Sequence, residues 1–451
     1  MNAVFLAIVA IAFAVTAVRE IAWTGPAAGA AGTDALSPMA ALGQGMVDQA
    51  GASVTLAIGL IGVMALFLGL MKVAEAGGLL VIIARTIRPL MTRLFPEVPA
   101  DHPAMGAMIL NFSANVLGLG NAATPFGIRA MQELDRLNPV KGTASNAMVL
   151  FLAINTSSIT VLPTGVIALR AAAGSADPAA IVPTTLFATI CSTTVAILAA
   201  KLYQRYASVP QPVEGGDAPG DDRAMPAAFA DGDPTGPSGV EAPLARDDAG
   251  AAYPAWISAL VLATIVALIP VTVLWGRAIS PWIIPGLMVA LLGFGAARRV
   301  RVYEVFVEGA REGFNVAVRI IPYLVAILVA VAMLRASGSL ELFISLIGPV
   351  TGGIGLPAEA LPMALLRPLS GSGAYGVLAS IINDPAVGPD SYAGMLVSTL
   401  QGSTETTFYV LAVYFGAVQI RRIRHALAAG LTADAAGIAG AVAICLLLFG
   451  N

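Results

Sequence analysis

Nine apolar runs recur along this chain, at residues 3–18, 54–71, 146–169, 181–202, 256–275, 282–297, 315–334, 394–418 and 427–449. As helices, most would cross about 30 Å of hydrocarbon. In lipid, every backbone N–H and C=O must find a partner within the protein. Runs of this length without period-two alternation therefore read as transmembrane helices. Composition agrees: 57% of the 451 residues are hydrophobic and 11% charged, whereas soluble domains carry about 25% charged residues. The expected fold is an all-α integral membrane protein whose first partner is the lipid bilayer. The first run lacks a basic leader and reads as a retained helix rather than a signal peptide. No basic cluster has the aromatic interleaving of a nucleic-acid surface, so no nucleic-acid partner is expected. Cys191 and Cys445 lie inside apolar runs and read as small buried hydrophobes.

Polar sequence interrupts the oil in each half. Residues 111–127 read NFSANVLGLGNAATPFG and residues 367–376 read RPLSGSGAYG. Each is followed by a run with a polar centre, AINTSSITVLPTG in the first half and STLQGSTETTFYV in the second. Irregular polar backbone survives at membrane depth only where it is packed in protein or lines a cavity. The Lys and Arg clusters all fall on one, cytoplasmic, face if 104–127 and 361–381 dip into the membrane and return. Both segments are therefore expected to be re-entrant helical hairpins. Arg19, Arg170 and Arg277 fall on the opposite side as single charges. Residues 214–250 are rich in Gly, Pro, Ala and Asp, and are expected to form a disordered cytoplasmic linker. That divides the chain into a membrane half at 1–203, a linker at 204–253 and a second membrane half at 254–451.

The halves match part for part: a span, an amphipathic stretch ending near a proline, a hairpin, a polar-centred span and a closing span. The charge map gives them opposite orientations, an inverted-topology repeat with broken helices. Secondary transporters built this way hold substrate at the midplane, where the broken helices expose ligands.

The first half offers Asn111, Ser113, Asn115 and Asn121 in its hairpin and Asn155, Thr156, Ser157 and Ser158 in its broken span. Asn side chains both donate and accept, and carbonyls freed at a helix break suit Na⁺ or substrate oxygens. The second half offers Arg367, Ser370 and Ser372 in its hairpin and Gln401, Ser403, Thr404, Glu405 and Thr406 in its broken span. A charge at mid-membrane costs roughly 2.5–3.5 kcal/mol on insertion scales, so Arg367 and Glu405 should face inward and can pair. Each of these residues also has a purely structural reading: caps, back-bonding hydroxyls or an Arg–Glu clamp. The two histidines lie at cytoplasmic edges and read as solvated, and Tyr409 and Tyr414 read as packing aromatics.

The strings NFSANVLGLGNAATPFGIRAMQEL and AINTSSITVLPTGVIALR resemble spore maturation protein A. RPLSGSGAYG and GPDSYAGMLVSTLQGSTETTFYVLAVYFGAVQIRRIRHAL resemble spore maturation protein B. The similarity covers most of 54–181 and 314–434, so the chain resembles the two families fused. Both contain a nucleoside-recognition, or gate, domain shared with concentrative nucleoside transporters and ferrous iron transporters. The resemblance implies a transporter-like protein of a bacterial inner membrane and assigns no substrate.

Together these features point to a secondary transporter of a small polar or anionic metabolite, driven by H⁺ or Na⁺, with substrate held between the hairpins. The alternative is a non-transporting scaffold or sensor whose polar motifs are structural. An enzyme is not expected, because no His lies within a span and neither HExxH nor a P-loop occurs. No cofactor or structural metal is expected beyond the coupling ion, and a homo-oligomer is compatible with the sequence.

Overall fold

The computed structural model describes residues 2–23, 36–118, 120–158, 160–207 and 253–450; the expected linker at 214–250 lies outside them. Their secondary structure is helical, apart from one isolated bridge between Thr143 and Arg422. The first half contains α1 (Asn2–Ile21), α2 (Pro38–Ala76), α3 (Leu79–Leu94), α4 (Pro103–Val116), α5 (Gly120–Arg136), α6 (Asn146–Ser157), α7 (Thr164–Ala172) and α8 (Val182–Tyr203). The second contains α9 (Ala255–Ala297), α10 (Val302–Ala336), α11 (Ser339–Gly352), α12 (Leu361–Leu366), α13 (Gly371–Ile382), α14 (Tyr392–Ser403), α15 (Thr407–Gly416) and α16 (Ala426–Phe449). Among the described residues, Pro38–Ala76, Pro178–Tyr203 and Ala426–Phe449 are each long and apolar enough to cross a membrane.

One expectation fails. The runs at 256–275 and 282–297 are not two spans but one continuous helix, α9. The connecting residues 276–281 (GRAISP) contain Gly276 and the turn-favouring pair Ser280–Pro281, yet the helical backbone continues through them. The spans expected at 146–169 and 394–418 are each broken in two, as α6 and α7 and as α14 and α15.

The long helices α2 and α10 pack against each other along their length. Small residues allow this. A Cβ on Gly309 would lie 2.6 Å from the Leu68 carbonyl oxygen, and one on Gly313 would lie 2.6 Å from that of Met64. Rising numbers on α10 meet falling numbers on α2, so the helices run antiparallel. The spacing Gly309–Gly313 against Ala65–Gly69 is the small-xxx-small pattern that brings helix backbones together in lipid.

Both α2 and α10 end in a left-handed glycine, Gly78 (φ 82°) and Gly338 (φ 77°), which opens the following helix. Only glycine enters that region without steric cost. Hairpins follow, α4/α5 through Gly118 (φ 72°) and α12/α13 through Arg367–Ser370.

Two large apolar cores result, and each mixes the halves. One packs α4, α5 and α6 with α15; the other packs α12, α13 and α14 with α7. α8 and α16 run alongside each other and contribute to both cores. The helix breaks fall between the cores, where α8 presents Thr189, Ser192 and Thr193 and α16 presents Asp434, all buried. The fold thus sandwiches a polar layer between two apolar ones.

Candidate functional site

The polar layer is built by backbone that stops being helical. α6 ends at Ser158, whose φ of 38° and ψ of 99° lie outside the helical wells. The Ser158 hydroxyl pairs with Thr160 Oγ1 (2.8 Å), and its carbonyl accepts from Thr189 Oγ1. Ser157 Oγ donates to Thr193 Oγ1 at 2.9 Å. A strained residue fixed from several sides is a feature that concentrates at functional sites.

The second break, at 404–406, is held by Arg367. Its Nη1 donates to Thr406 Oγ1 (3.1 Å), its Nη2 donates to the Thr404 carbonyl, and the Glu405 carboxylate stands 3.8 Å from Nη2. Arg367 is buried, whereas the Glu405 side chain is 45% exposed. The carboxylate is thus the open end of the cluster, and the pair in isolation contributes little stability. Backbone completes the arrangement: Phe408 N–H donates to the Pro368 carbonyl at 3.1 Å, joining break to hairpin. The first half does the same, with Val161 N–H on the Val116 carbonyl (3.3 Å) and Asn115 Nδ2 on Asn155 Oδ1 (3.0 Å). The two breaks meet directly where Glu405 N–H donates to the Thr156 carbonyl at 2.8 Å.

Thus Thr156, Arg367, Thr404, Glu405 and Thr406 form one cluster. Ser403 joins them by lining a void of about 10 Å³ with Arg367, Pro368, Leu400, Thr404, Asp434 and Ile438, room for about one water. Gln401 is buried four residues before Glu405, and its Oε1 has no partner. The other candidates lie farther out or are satisfied locally. Ser113 Oγ bonds the Ile109 carbonyl four residues back, and Ser370 caps α13 by accepting from Gly373 N–H. Ser372 Oγ is 3.5 Å from Ser370 Oγ. Asn111 Nδ2 donates to the Ala123 carbonyl (2.8 Å) and to Tyr414 Oη (3.2 Å). Asn121 stands on the first turn of α5, and its side chain lies outside the described residues.

A larger cavity of about 280 Å³ lies elsewhere, between α1, α10, α12 and α13, with the Arg335–Asp384 ion pair (3.0 Å) in its lining. It shares Pro362, Leu366, Val377, Ser380 and Ile381 with the second hairpin but none of the cluster residues.

Comparison with known proteins gives these features a family. The Gate model, described as nucleoside recognition, matches residues 57–173 and 317–421. Spore maturation protein B of Bacillus subtilis (strain 168) is 47% identical over 168 residues, 37% of this chain and 93% of that protein. The chain belongs to the spore maturation A/B family of gate-domain membrane proteins. Spore maturation protein A of the same strain is 49% identical over 146 residues, 32% of this chain and 74% of that protein. One chain thus carries stretches similar to both, as a fused A/B protein would. Inner membrane protein YjiG of Escherichia coli (strain K12) is 36% identical over 84 residues, 18% of this chain and 55% of that protein. No solved structure matches.

Several residues of this spore maturation family member escaped the sequence reading. Asp434 is 4% exposed, accepts from Thr407 Oγ1 at 2.5 Å through Oδ2, and leaves Oδ1 without a partner. Arg170, read only as a single charge on the outer side, is fully buried, bonding the Pro178, Pro389 and Asp177 carbonyls, Ser175, Ser398 and Asp390. Tyr414 packs as read, stacked on Phe151 (centroids 5.8 Å apart), but its hydroxyl also accepts from Asn111. His425, expected to be solvated, is buried at the start of α16, and its pKa is lowered by that burial and by Arg424. Each had a weak signal: one charge or ring in apolar or loop sequence.

Proposed function

We propose that this protein is a secondary transporter of a small polar or anionic metabolite, coupled to H⁺ or Na⁺, with substrate bound where the hairpins and broken helices converge. The observation that carries this reading is the direct contact of the two breaks, Glu405 N–H on the Thr156 carbonyl, beside a buried arginine and a half-exposed carboxylate. In this reading Arg367 grips an anionic group and Glu405 binds the proton or a cationic group. The freed carbonyls and hydroxyls of 155–158 and 403–406 complete the pocket. The two halves act as an inverted-topology repeat with re-entrant hairpins. In support, the Gate model matches both halves, α2 and α10 cross antiparallel, and α6 and α14 both have 12 residues and a serine N-cap. The protein would reside in a bacterial inner membrane with its linker in the cytoplasm and would catalyse no covalent chemistry. Nucleosides are the first compounds to try, because the Gate family is described by nucleoside recognition.

The second reading, a membrane scaffold or sensor, draws support from the packing. The void at the cluster holds about one water, and many candidate side chains are satisfied internally. Under the transport reading this is an occluded state that must open. Purified protein in liposomes, offered nucleosides and small anionic metabolites, should take up or exchange one of them. Glu405→Gln should abolish or uncouple that flux, and Arg367→Ala should weaken anionic substrates most. Normal transport by both variants would show the site to be elsewhere; no binding or flux across a broad screen would favour the scaffold.

A further inference from the structure

The polar layer holds a second buried carboxyl that the transport reading leaves unused. Asp434 sits on α16, with Gly430 four residues before it and Gly437 three after. A Cβ on Gly430 would meet Thr407 Cγ2 at 2.8 Å, and one on Gly437 would meet Thr404 Cγ2 at 2.7 Å. These glycines let the second break pack against α16, which places Asp434 against it. Around the carboxyl and the void it lines stand Thr407 from α15, Ser403 and Thr404 from the end of α14, and Arg367 from the second hairpin, while Thr156 of α6 and Ser192 and Cys191 of α8 lie against the glycines and backbone of α16 on either side of it. Arg367 is the charged group that faces the same void as Asp434.

The charge balance of this group is unusual. Arg367 already donates to Thr406 Oγ1 and the Thr404 carbonyl and lies near Glu405. Asp434 lines the void, and its buried Oδ1 has no hydrogen-bond partner. An ionised carboxylate in such a place would be desolvated and half-satisfied, which is strongly unfavourable. A protonated carboxyl removes the difficulty: one oxygen accepts from Thr407, and the other carries a proton that a single water in the void can accept.

We propose that Asp434 is a proton-binding site, neutral while Arg367 is docked on the second break, and that its deprotonation draws the guanidinium across the void. The proton leaves the carboxyl for water in the void, with Glu405 as the next acceptor toward solvent. The negative charge left behind competes with Thr404 and Glu405 for Arg367 and so loosens the hold of hairpin on break. This rests on the transport reading for its consequence, since it names the coupling ion as H⁺, but the protonation itself does not require transport.

Infrared spectroscopy of the reconstituted protein without substrate tests the site. Wild type near neutral pH should show the C=O stretch of a buried protonated carboxyl, lost on alkaline titration. Asp434→Asn should lack it and Glu405→Gln should keep it. Arg367→Gln should move the loss to higher pH, since removing a cation favours the neutral form. Thr407→Val removes a donor to the carboxylate and should move it the same way, and it serves if the Asn variant does not fold. Absence of the band in wild type, or its persistence in Asp434→Asn, overturns the proposal. So does a band abolished by NaCl but not by choline chloride, which would make this a sodium site. An intact band with no flux of any solute removes the transporter reading alone; flux without the band removes the proton site alone.

Discussion

Arg170→Met should be among the most destabilising single changes outside the polar layer. The guanidinium is 0% exposed and sits where the end of α7 meets the chain entering α14. It donates to the carbonyls of Pro389 (2.5 Å), Pro178 (3.3 Å) and Asp177 (3.3 Å) and to the Asp390 carboxylate (2.9 Å). Met fills much of the same volume, so the change tests hydrogen bonding rather than packing. A hydrogen bond to a charged group contributes about 1.5–3 kcal/mol, and neighbouring bonds do not add. A buried carbonyl left without its donor costs roughly 1–3 kcal/mol, which we take as the least expected loss. Asp390→Asn is the control. That carboxylate is 44% exposed, so its share of the ion pair is screened and amounts to about 0.2–1 kcal/mol. Heating detergent-solubilised protein and reading the surviving folded fraction by size-exclusion chromatography should rank Arg170→Met well below Asp390→Asn, with Asp390→Asn close to wild type. Equal losses would mean that the ion pair, not satisfaction of buried carbonyls, is what Arg170 supplies. A neutral Arg170→Met would refute the reasoning outright. Asp390 also predicts a pH effect. Partial burial opposes its charge, but Ser175 Oγ, Ala176 N–H and Arg170 outweigh burial and lower its pKa. A depressed carboxyl stabilises the fold above its unfolded value of about 3.9, and that stability is lost as pH falls through the lower folded value. Asp390→Asn should flatten this acid limb.

Two other changes follow from the packing and the charges. At the α2–α10 crossing, a Cβ on Gly313 would lie 2.6–2.7 Å from backbone atoms of Met64 and Ala65, so Gly313→Ala should lose about 1–3 kcal/mol to overpacking. Gly286, with nothing within 4 Å of its Cβ position, should gain up to about 1 kcal/mol from helix propensity on the same substitution; opposite shifts in apparent melting temperature would be the check. For His425, burial and then Arg424 lower the pKa, so its neutral form stabilises the fold above about pH 6.5, and that contribution disappears as pH falls through the folded value. Melting curves between neutral and mildly acidic pH should show this loss in wild type and not in His425→Gln.

Much of the frame was legible because lipid constrains it so tightly. Helical class follows from the apolar runs, and both broken spans were visible because Asn155, Thr156, Ser157 and Ser158, and later Ser403, Thr404, Glu405 and Thr406, replace hydrophobes where none should be absent. The continuity of α9 was not visible, since Gly276 and Ser280–Pro281 in GRAISP read as a break between two spans. Asp434 was hidden for a different reason. One acidic residue in an Ala- and Gly-rich run barely lowers hydropathy, and its partners Thr407 and Arg367 lie 27 and 67 positions away. Arg170 was misjudged because a lone arginine near a span end reads as an interface marker, and only the fold brings Pro389 and Asp390 to it.

In the proposed repeat, symmetry of the backbone and asymmetry of the side chains belong together. The end of α7 docks on the entry to α14 through Arg170, while the residues after α15 dock on the entry to α6. There, Arg421 and Arg422 N–H groups donate to the Gly142 carbonyl, and Arg424 Nη1 donates to the Ala144 carbonyl and Asn146 Oδ1. Each half is thus clamped by arginine-bearing chain at the other's threshold, as expected of the proposed repeat. At the centre the correspondence fails. Asn155 and Gln401 occupy equal positions three from the helix ends, but Asn115 faces Asn155 in one half, whereas Arg367, Glu405 and Asp434 gather in the other. A structural clamp would need no such imbalance, since the neutral half closes its own break with amides and hydroxyls. Placing one guanidinium between two carboxyls, one open to solvent and one enclosed, creates two alternative partners for the same cation. That choice is what a proton could bias, and it is confined to the half where the chemistry of the proposed repeat departs from its geometry.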